Sequence, residues 1–142
     1  ASGSPPLQNI DGLPLYKPYS GIVAIDMNTG TKLWDVPVGE TPDNILNHPL
    51  LEGVDVPHTG SGGGGIQMVM GDLLLQTTRA RGDAIPVLNA RDKRTGQIVA
   101  TTELPVAGQY GMMTFMHEGK QYIVVNAASG DMPGGYVALT LP

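Results

Sequence analysis

The chain has 142 residues, 41% of them hydrophobic and 15% charged, a balance that excludes disorder of the whole chain. Its net charge of −5 and scattered Lys and Arg argue against a nucleic-acid partner. The 20 Gly and 12 Pro exclude a protein of long helices, and the lack of cysteine excludes disulfides and thiolate metal sites.

Taken in chain order, the start Ala1-Ser2-Gly3-Ser4 is polar and uncharged and carries no visible signal peptide, as expected of a mature product or a fragment. Gly21 to Asp26 reads as a strand, Met27-Asn28-Thr29-Gly30 as a turn and Thr31 to Val38 as the returning strand of a hairpin. Glu40 to Gly65 is polar, rich in Pro and Gly and without strand periodicity, so residues of about 40–65 are expected to form an inserted loop. Met68 to Thr78 is expected to fold back at Gly71-Asp72, and Lys120 to Ala128 to follow a turn at Glu118-Gly119-Lys120. No segment reads as a helix, and no apolar run approaches the ~20 residues that span a bilayer.

Between these segments the first hairpin recurs. Pro86 to Asp92, Lys93-Arg94-Thr95-Gly96 and Gln97 to Thr102 place Ala90, Asp92, Thr95 and Gly96 on Ala24, Asp26, Thr29 and Gly30. A third copy, Tyr136 to Pro142, is cut short, with Ala138 standing 48 residues after Ala90. Strand, Asp-containing turn, Gly and strand at a period of ~40–50 residues is the pattern of propeller blades. The longer spacing of 66 from Asp26 to Asp92 absorbs the insertion. The expected fold is all-β, a partial β-propeller of about three blades built from antiparallel four-stranded sheets. Such blades pack on neighbours on both faces, so the remainder of the propeller or another copy of the chain is the expected partner.

These residues also resemble a known family. Gly12 to Asp26 resembles the segment before a late blade in quinoprotein alcohol and sugar dehydrogenases. Asn28-Thr29-Gly30-Thr31-Lys32-Leu33-Trp34, with Ala24 and Asp26, looks like their tryptophan-docking motif, Ala-x-Asp-x-x-x-Gly-x-x-x-Trp, in which the Trp packs across the neighbouring blade. Gly39 to Pro49 resembles a loop of the membrane-associated, glucose-dehydrogenase-like branch, and Glu118 to Val125 with Tyr136 to Pro142 look like its C-terminal end.

The resemblance implies the C-terminal segment of an eight-bladed, PQQ-dependent dehydrogenase. It implies a parent that oxidises an alcohol or sugar hydroxyl with non-covalent PQQ and Ca²⁺ and passes electrons to a quinone or cytochrome. A periplasmic or secreted location is implied, with membrane association through a missing N-terminal part. The family's general-base Asp, its cofactor-contacting Lys and most metal ligands lie upstream of this region. The segment alone is therefore expected to be inactive, with no catalytic residue, no metal ligand and no bound cofactor of its own. One cofactor-binding stretch carries over: Gly62, Gly63, Gly64, Gly65 and Ile66 match the Gly-Gly-x-Ile that approaches the quinone plane. Four glycines also suit a plain flexible linker. Where glucose-oxidising members carry a His in the Gly-rich loop before the last strand, Ala127 to Gly135 has none. A non-catalytic propeller scaffold or secreted binding module is the alternative, since outer-membrane assembly proteins share the docking repeat.

Single residues carry bland readings. Trp34 is expected to dock blades, and Asp26 and Asp92 to cap turn N–H groups. His48, His58 and His117 match no zinc spacing, and Met112, Met113 and Met116 are expected to fill core. Asp131, an acceptor only, cannot replace a donating His toward an anionic quinone.

Overall fold

The computed structural model describes residues 9–11, 13–14, 20–60, 65–78, 85–127 and 134–140. The chain divides into two compact units, Ala1–Ile22 with Val36–Gly62 and Val23–Asp35 with Gly63–Pro142.

In the first unit, β1 (Asn9–Ile10) pairs antiparallel with β2 (Leu13–Pro14). The expected loop is partly helical, which corrects the reading that no helix is present. Pro42, extended at φ −60°, opens a single turn, α1 (Asp43–Leu46), and its carbonyl accepts from the Ile45 and Leu46 N–H groups. A 3₁₀ turn follows at Pro49–Leu51. Four helical residues are too few to show a 3.6-residue period, so their pattern is invisible in sequence. Ile45, 2% exposed, anchors this segment, and Thr59 donates from its N–H and its hydroxyl to the Thr41 hydroxyl oxygen. His48 Nδ1 accepts from the Leu50 N–H, which leaves the proton on Nε2 to be donated to the Asp11 carbonyl at 3.0 Å. His58 Nε2 bonds the Gly39 carbonyl. Both histidines tie loops together.

The sheets are antiparallel meanders. β3 (Gly21–Ile25) and β4 (Lys32–Pro37) form a two-stranded sheet that crosses the division between the units. In the second unit, β5 (Gln67–Met70), β6 (Leu73–Thr77), β7 (Val87–Asp92) and β8 (Ile98–Glu103) lie side by side in chain order as one four-stranded blade. β9 (Gly108–His117), β10 (Lys120–Ala127) and β11 (Gly135–Thr140) form the next sheet, three-stranded among the described residues. Four strands per sheet are thus reached once.

The repeated turns are the same object. Asp26 N–H donates to the Thr31 carbonyl and Gly30 N–H to the Asp26 carbonyl; Asp92 to Gln97 and Gly96 to Asp92 repeat both bonds. The Asp26 carboxylate accepts from the Asn28 N–H at 2.8 Å, as Asp92 accepts from Arg94 at 2.7 Å and Thr95 at 3.1 Å. Gly30 at φ 71° and Gly96 at φ 74° take the left-handed position that closes each turn. β3–β4 therefore correspond to the last two strands of a blade.

Blades dock through apolar faces. Leu75, Leu88 and Leu104 of the four-stranded sheet and its connection pack with Met112, Ile123, Val137 and Leu139 of the next. Trp34 Nε1 donates to the Lys93 carbonyl at 3.0 Å, so the tryptophan of the first hairpin reaches the Asp turn of the following blade. The second copy has Ala100 where the first has Trp34. Gln121 instead reaches back from β10 to the Met70 sulfur at 2.9 Å. Of the methionines expected in the core only Met112 is there: Met113 and Met116 are 55% and 63% exposed. Alternation along β9 turns Met113 to the opposite face from Met112, and Met116 stands next to the exposed hairpin turn.

Candidate functional site

Antiparallel pairing brings particular strand ends together. The start of β5 lies beside the end of β6, and the start of β9 beside the end of β10. Gly65, Ile66, Thr77, Gly108, Val125 and Ala127 thereby gather at one end of the two blades; the turns at Gly71 and Gly119 lie at the other. The Thr77 N–H donates to the Ile66 carbonyl at 3.0 Å, and in return the Thr77 hydroxyl accepts from the Ile66 N–H at 3.0 Å. A Cβ on Gly65 would fall on the Thr77 carbonyl. On Gly108 it would meet Thr77 Cγ2 at 2.7 Å and Val125 Cγ1 at 2.9 Å. Thr77, wholly buried, is the hub on which both glycines close.

This geometry accounts for part of the expected cofactor stretch. Gly65 and Ile66 stand just before the edge strand β5, where the need for glycine is set by the Thr77 backbone. Gly62, Gly63 and Gly64 lie outside the described residues, as do Asp131 and most of the loop from Ala127 to Gly135. No charged side chain appears among the described residues of this rim; Thr77, Thr78, Gln109, Tyr110 and Asn126 supply its polar groups. The space beside Gly65 and Gly108 is filled by Thr77 and Val125, and the charge of a polyanionic quinone needs cations from elsewhere. Among the described residues no His, Cys, Asp or Glu cluster has the form of a metal site.

Thr77, Arg91 and the Tyr110 bulge escaped the sequence reading. Arg91, 6% exposed, donates from Nε to Gln76 Oε1 at 3.0 Å and from Nη1 to the Gly96 carbonyl at 2.8 Å. Burial lowers its pKa, and Gln76 Nε2 beside it has no partner among the described residues. The partners are neutral oxygens on a strand and a turn, so Arg91 ties the Asp92 turn to β6. Its only sequence signal is a charge on the strand that also carries buried Leu88 and Asn89. At the opposite end, Lys93 donates to the Gly71 carbonyl at 2.7 Å and pairs with Asp72 at 3.1 Å, with Arg94 at 3.4 Å. The hydrogen bond and charge of Lys93, helped by Arg94, hold the exposed Asp72 carboxyl below its usual range.

On β9 the register breaks: Met112 faces Val125 and Gly108 faces Ala127, leaving Gln109, Tyr110 and Gly111 opposite Asn126 alone. Tyr110 is held at φ 62°, and its side chain is among the most exposed apolar groups, at 89%. An open groove of about 310 Å³ lies there, lined by Tyr110, Gly111, Met112, Met113, Val124, Asn126 and Tyr136.

Meander blades docked face to face, with a tryptophan spanning from one to the next, define a β-propeller segment. The family model for the β-propeller domain of PQQ-dependent glucose/ethanol/alcohol dehydrogenases matches residues 2–123, and the chain belongs to that family. It is 32% identical over 127 residues to the glycerol dehydrogenase large subunit of Gluconobacter thailandicus, covering 88% of this chain and 16% of that protein. It is 31% identical to a probable quinate dehydrogenase (quinone) of Xanthomonas campestris pv. juglandis, over 92% of this chain and 17% of the relative. Quinoprotein glucose dehydrogenase A of Acinetobacter calcoaceticus is 31% identical over 92% of this chain and 16% of its own length. The chain thus spans about a sixth of the length of the curated relatives it matches.

Proposed function

We propose that the chain is the blade-forming C-terminal segment of a periplasmic PQQ-dependent dehydrogenase that oxidises an alcohol or sugar hydroxyl. The parent passes the electrons to a quinone or cytochrome, and the segment by itself is inactive. The observation that carries this is a propeller-family match over most of the chain, on blades whose strand ends meet at Gly65, Thr77 and Gly108. PQQ, with Ca²⁺ to polarise its reactive carbonyl, supplies the two-electron oxidation. This chain's own part is positional. Thr77 fixes the backbone at Gly65 and Ile66, and Gly108 lets β9 of the neighbouring sheet close against it. The base, the metal ligands and the cations facing the cofactor belong to the rest of the ring. Names of the relatives include glycerol, quinate and glucose, so the hydroxyl substrate is drawn from neutral or acidic polyols and sugars. A pure scaffold has no comparable support.

The test compares the 142-residue chain with its parent, each given PQQ and Ca²⁺, by dye reduction with glycerol, glucose or quinate. Turnover by the parent and none by the chain is expected. Turnover by the chain alone removes the claim of inactivity, and a parent inert to every hydroxyl substrate removes the dehydrogenase reading.

A further inference from the structure

Among the described residues Arg91 is the only charged side chain that is buried, at 6% exposure, and no carboxylate lies within ion-pair distance of it. A guanidinium keeps its proton throughout the range in which proteins fold, so the charge is permanent. Its two acceptors, Gln76 Oε1 at 3.0 Å and the Gly96 carbonyl at 2.8 Å, are neutral. They satisfy two of its five N–H groups and none of its charge. Burial lowers the pKa of Arg91, and no described acid offsets that cost.

The residue beside it is short of a partner too. Gln76 is wholly buried, and its Nε2 has no acceptor among the described residues. The amide cannot be turned round, because Oε1 has to face the Arg91 Nε–H. Nε2 is bonded to the same carbon as Oε1, so the orphan donor and the guanidinium lie side by side. Register explains the pairing. Leu74 stands opposite Arg91 and Gln76 opposite Asn89, which turns Gln76, Asn89 and Arg91 to the sheet face away from Leu75 and Leu88. Asn89 Oδ1, the acceptor nearest in register, is already taken by the Thr101 hydroxyl at 2.8 Å.

Donors and one positive charge are thus left without an acceptor or a counter-charge. A water accepting from Gln76 Nε2 satisfies the amide and leaves the charge unbalanced. A carboxylate from a further blade has no open surface by which to reach the pair, since both side chains are already covered within this chain. We propose that Gln76 and Arg91 hold a monovalent, halide-sized anion, chloride in ordinary solution, beneath the Asp92 turn of the four-stranded blade. One negative charge balances the one positive charge, and a small sphere accepts from the amide and the unused guanidinium N–H groups alike. A divalent oxyanion such as sulfate leaves an excess of negative charge in the same buried place. Arg91 spans from Gln76 on β6 to Gly96, so the ion locks the Asp92 turn onto the neighbouring strand.

The test is urea unfolding of the chain at fixed ionic strength, with chloride replacing methanesulfonate, a monovalent anion too large for the site. The wild-type midpoint is expected to climb with chloride, the folded-to-unfolded ratio rising about a hundredfold once chloride is roughly a hundred times its Kd. Gln76→Glu sets a carboxylate against Arg91 in place of the ion. It is expected to match or exceed wild type without chloride and to gain nothing when chloride is added. Equal wild-type midpoints in the two salts overturn the site. So does a chloride response that survives in Gln76→Glu, because the ion then acts elsewhere. A crystal of the chain grown in bromide needs no variant: anomalous signal is expected within hydrogen-bond reach of Gln76 Nε2, and its absence there overturns the halide. Neither measurement uses substrate or PQQ, so both stand apart from the parent's chemistry.

Discussion

At the scale of single residues, the glycines of this chain divide by what stands where a side chain would be. Gly65 faces the Thr77 carbonyl, and Gly108 is wedged between Thr77 and Val125. Gly111, three residues on, has nothing within 4 Å and no positive φ. Gly65→Ala and Gly108→Ala are therefore expected to destabilise the chain by about 1–3 kcal/mol each, the usual cost of overpacking. Gly111→Ala should stay within about 0.5 kcal/mol of the parent sequence, as surface changes do. Urea unfolding curves of the three variants decide it; equal midpoints would mean that Thr77 is not the hub described. The same comparison separates two demands on the glycine-rich stretch. A Gly65 required by Thr77 is a folding requirement, and sequence alone presented it as an approach to a cofactor. The spacing of glycines was legible, but the carbonyl that makes one of them obligatory comes from a strand 12 residues later.

At the scale of elements, the Asp turn is the unit that repeats, and it carries a pH signature. The Asn28 N–H bond, ahead of smaller contributions from Thr29, holds the exposed Asp26 carboxyl below its usual value. Lys93 does the same for Asp72. A carboxyl whose folded pKa is depressed lends stability that is present above its unfolded pKa and lost as pH falls through the folded one. Unfolding midpoints should thus hold through neutral pH and decline below the ordinary carboxylate range. Asp26→Asn, which keeps the turn acceptor, and Asp72→Asn should each flatten that decline; an unchanged slope in the double variant would remove these carboxylates as its source. This element was readable because its chemistry is local: Asp, Thr and Gly at fixed offsets serve one turn in both copies. What failed to read was either too short or non-local. α1 is a single turn behind Pro42, and the Tyr110 bulge exists only as a mismatch between β9 and β10. Arg91 looked like a strand charge because Gln76 and Gly96, its two acceptors, belong to another strand and a turn.

At the scale of the molecule, apolar surface remains on both sheets that flank the four-stranded blade. Val23, Ile25 and Leu33 of the β3–β4 hairpin are 54%, 53% and 58% exposed, alongside Met113 and Phe115 of β9. Surface patches of this kind mark contacts, and unpaired strand edges add backbone groups able to recruit another sheet. The blade that does have neighbours shows the alternative, with Leu75 and Leu88 at 2% and 6% exposure once a sheet covers them. In relatives about six times as long, sheets are available to cover such surface. In the chain alone the available cover is another copy, and a head-to-tail contact between unlike surfaces builds open or closed rings rather than a fixed pair. The chain is therefore expected to associate with rising concentration. Val23→Lys with Ile25→Lys should shift it toward monomer in light scattering, because a charge on each replaces apolar surface without touching the buried Ile22 that precedes them. Retained association in that double variant would move the contact to the β9–β11 sheet, and a wild-type chain that is monomeric at every concentration would show that these faces need no cover.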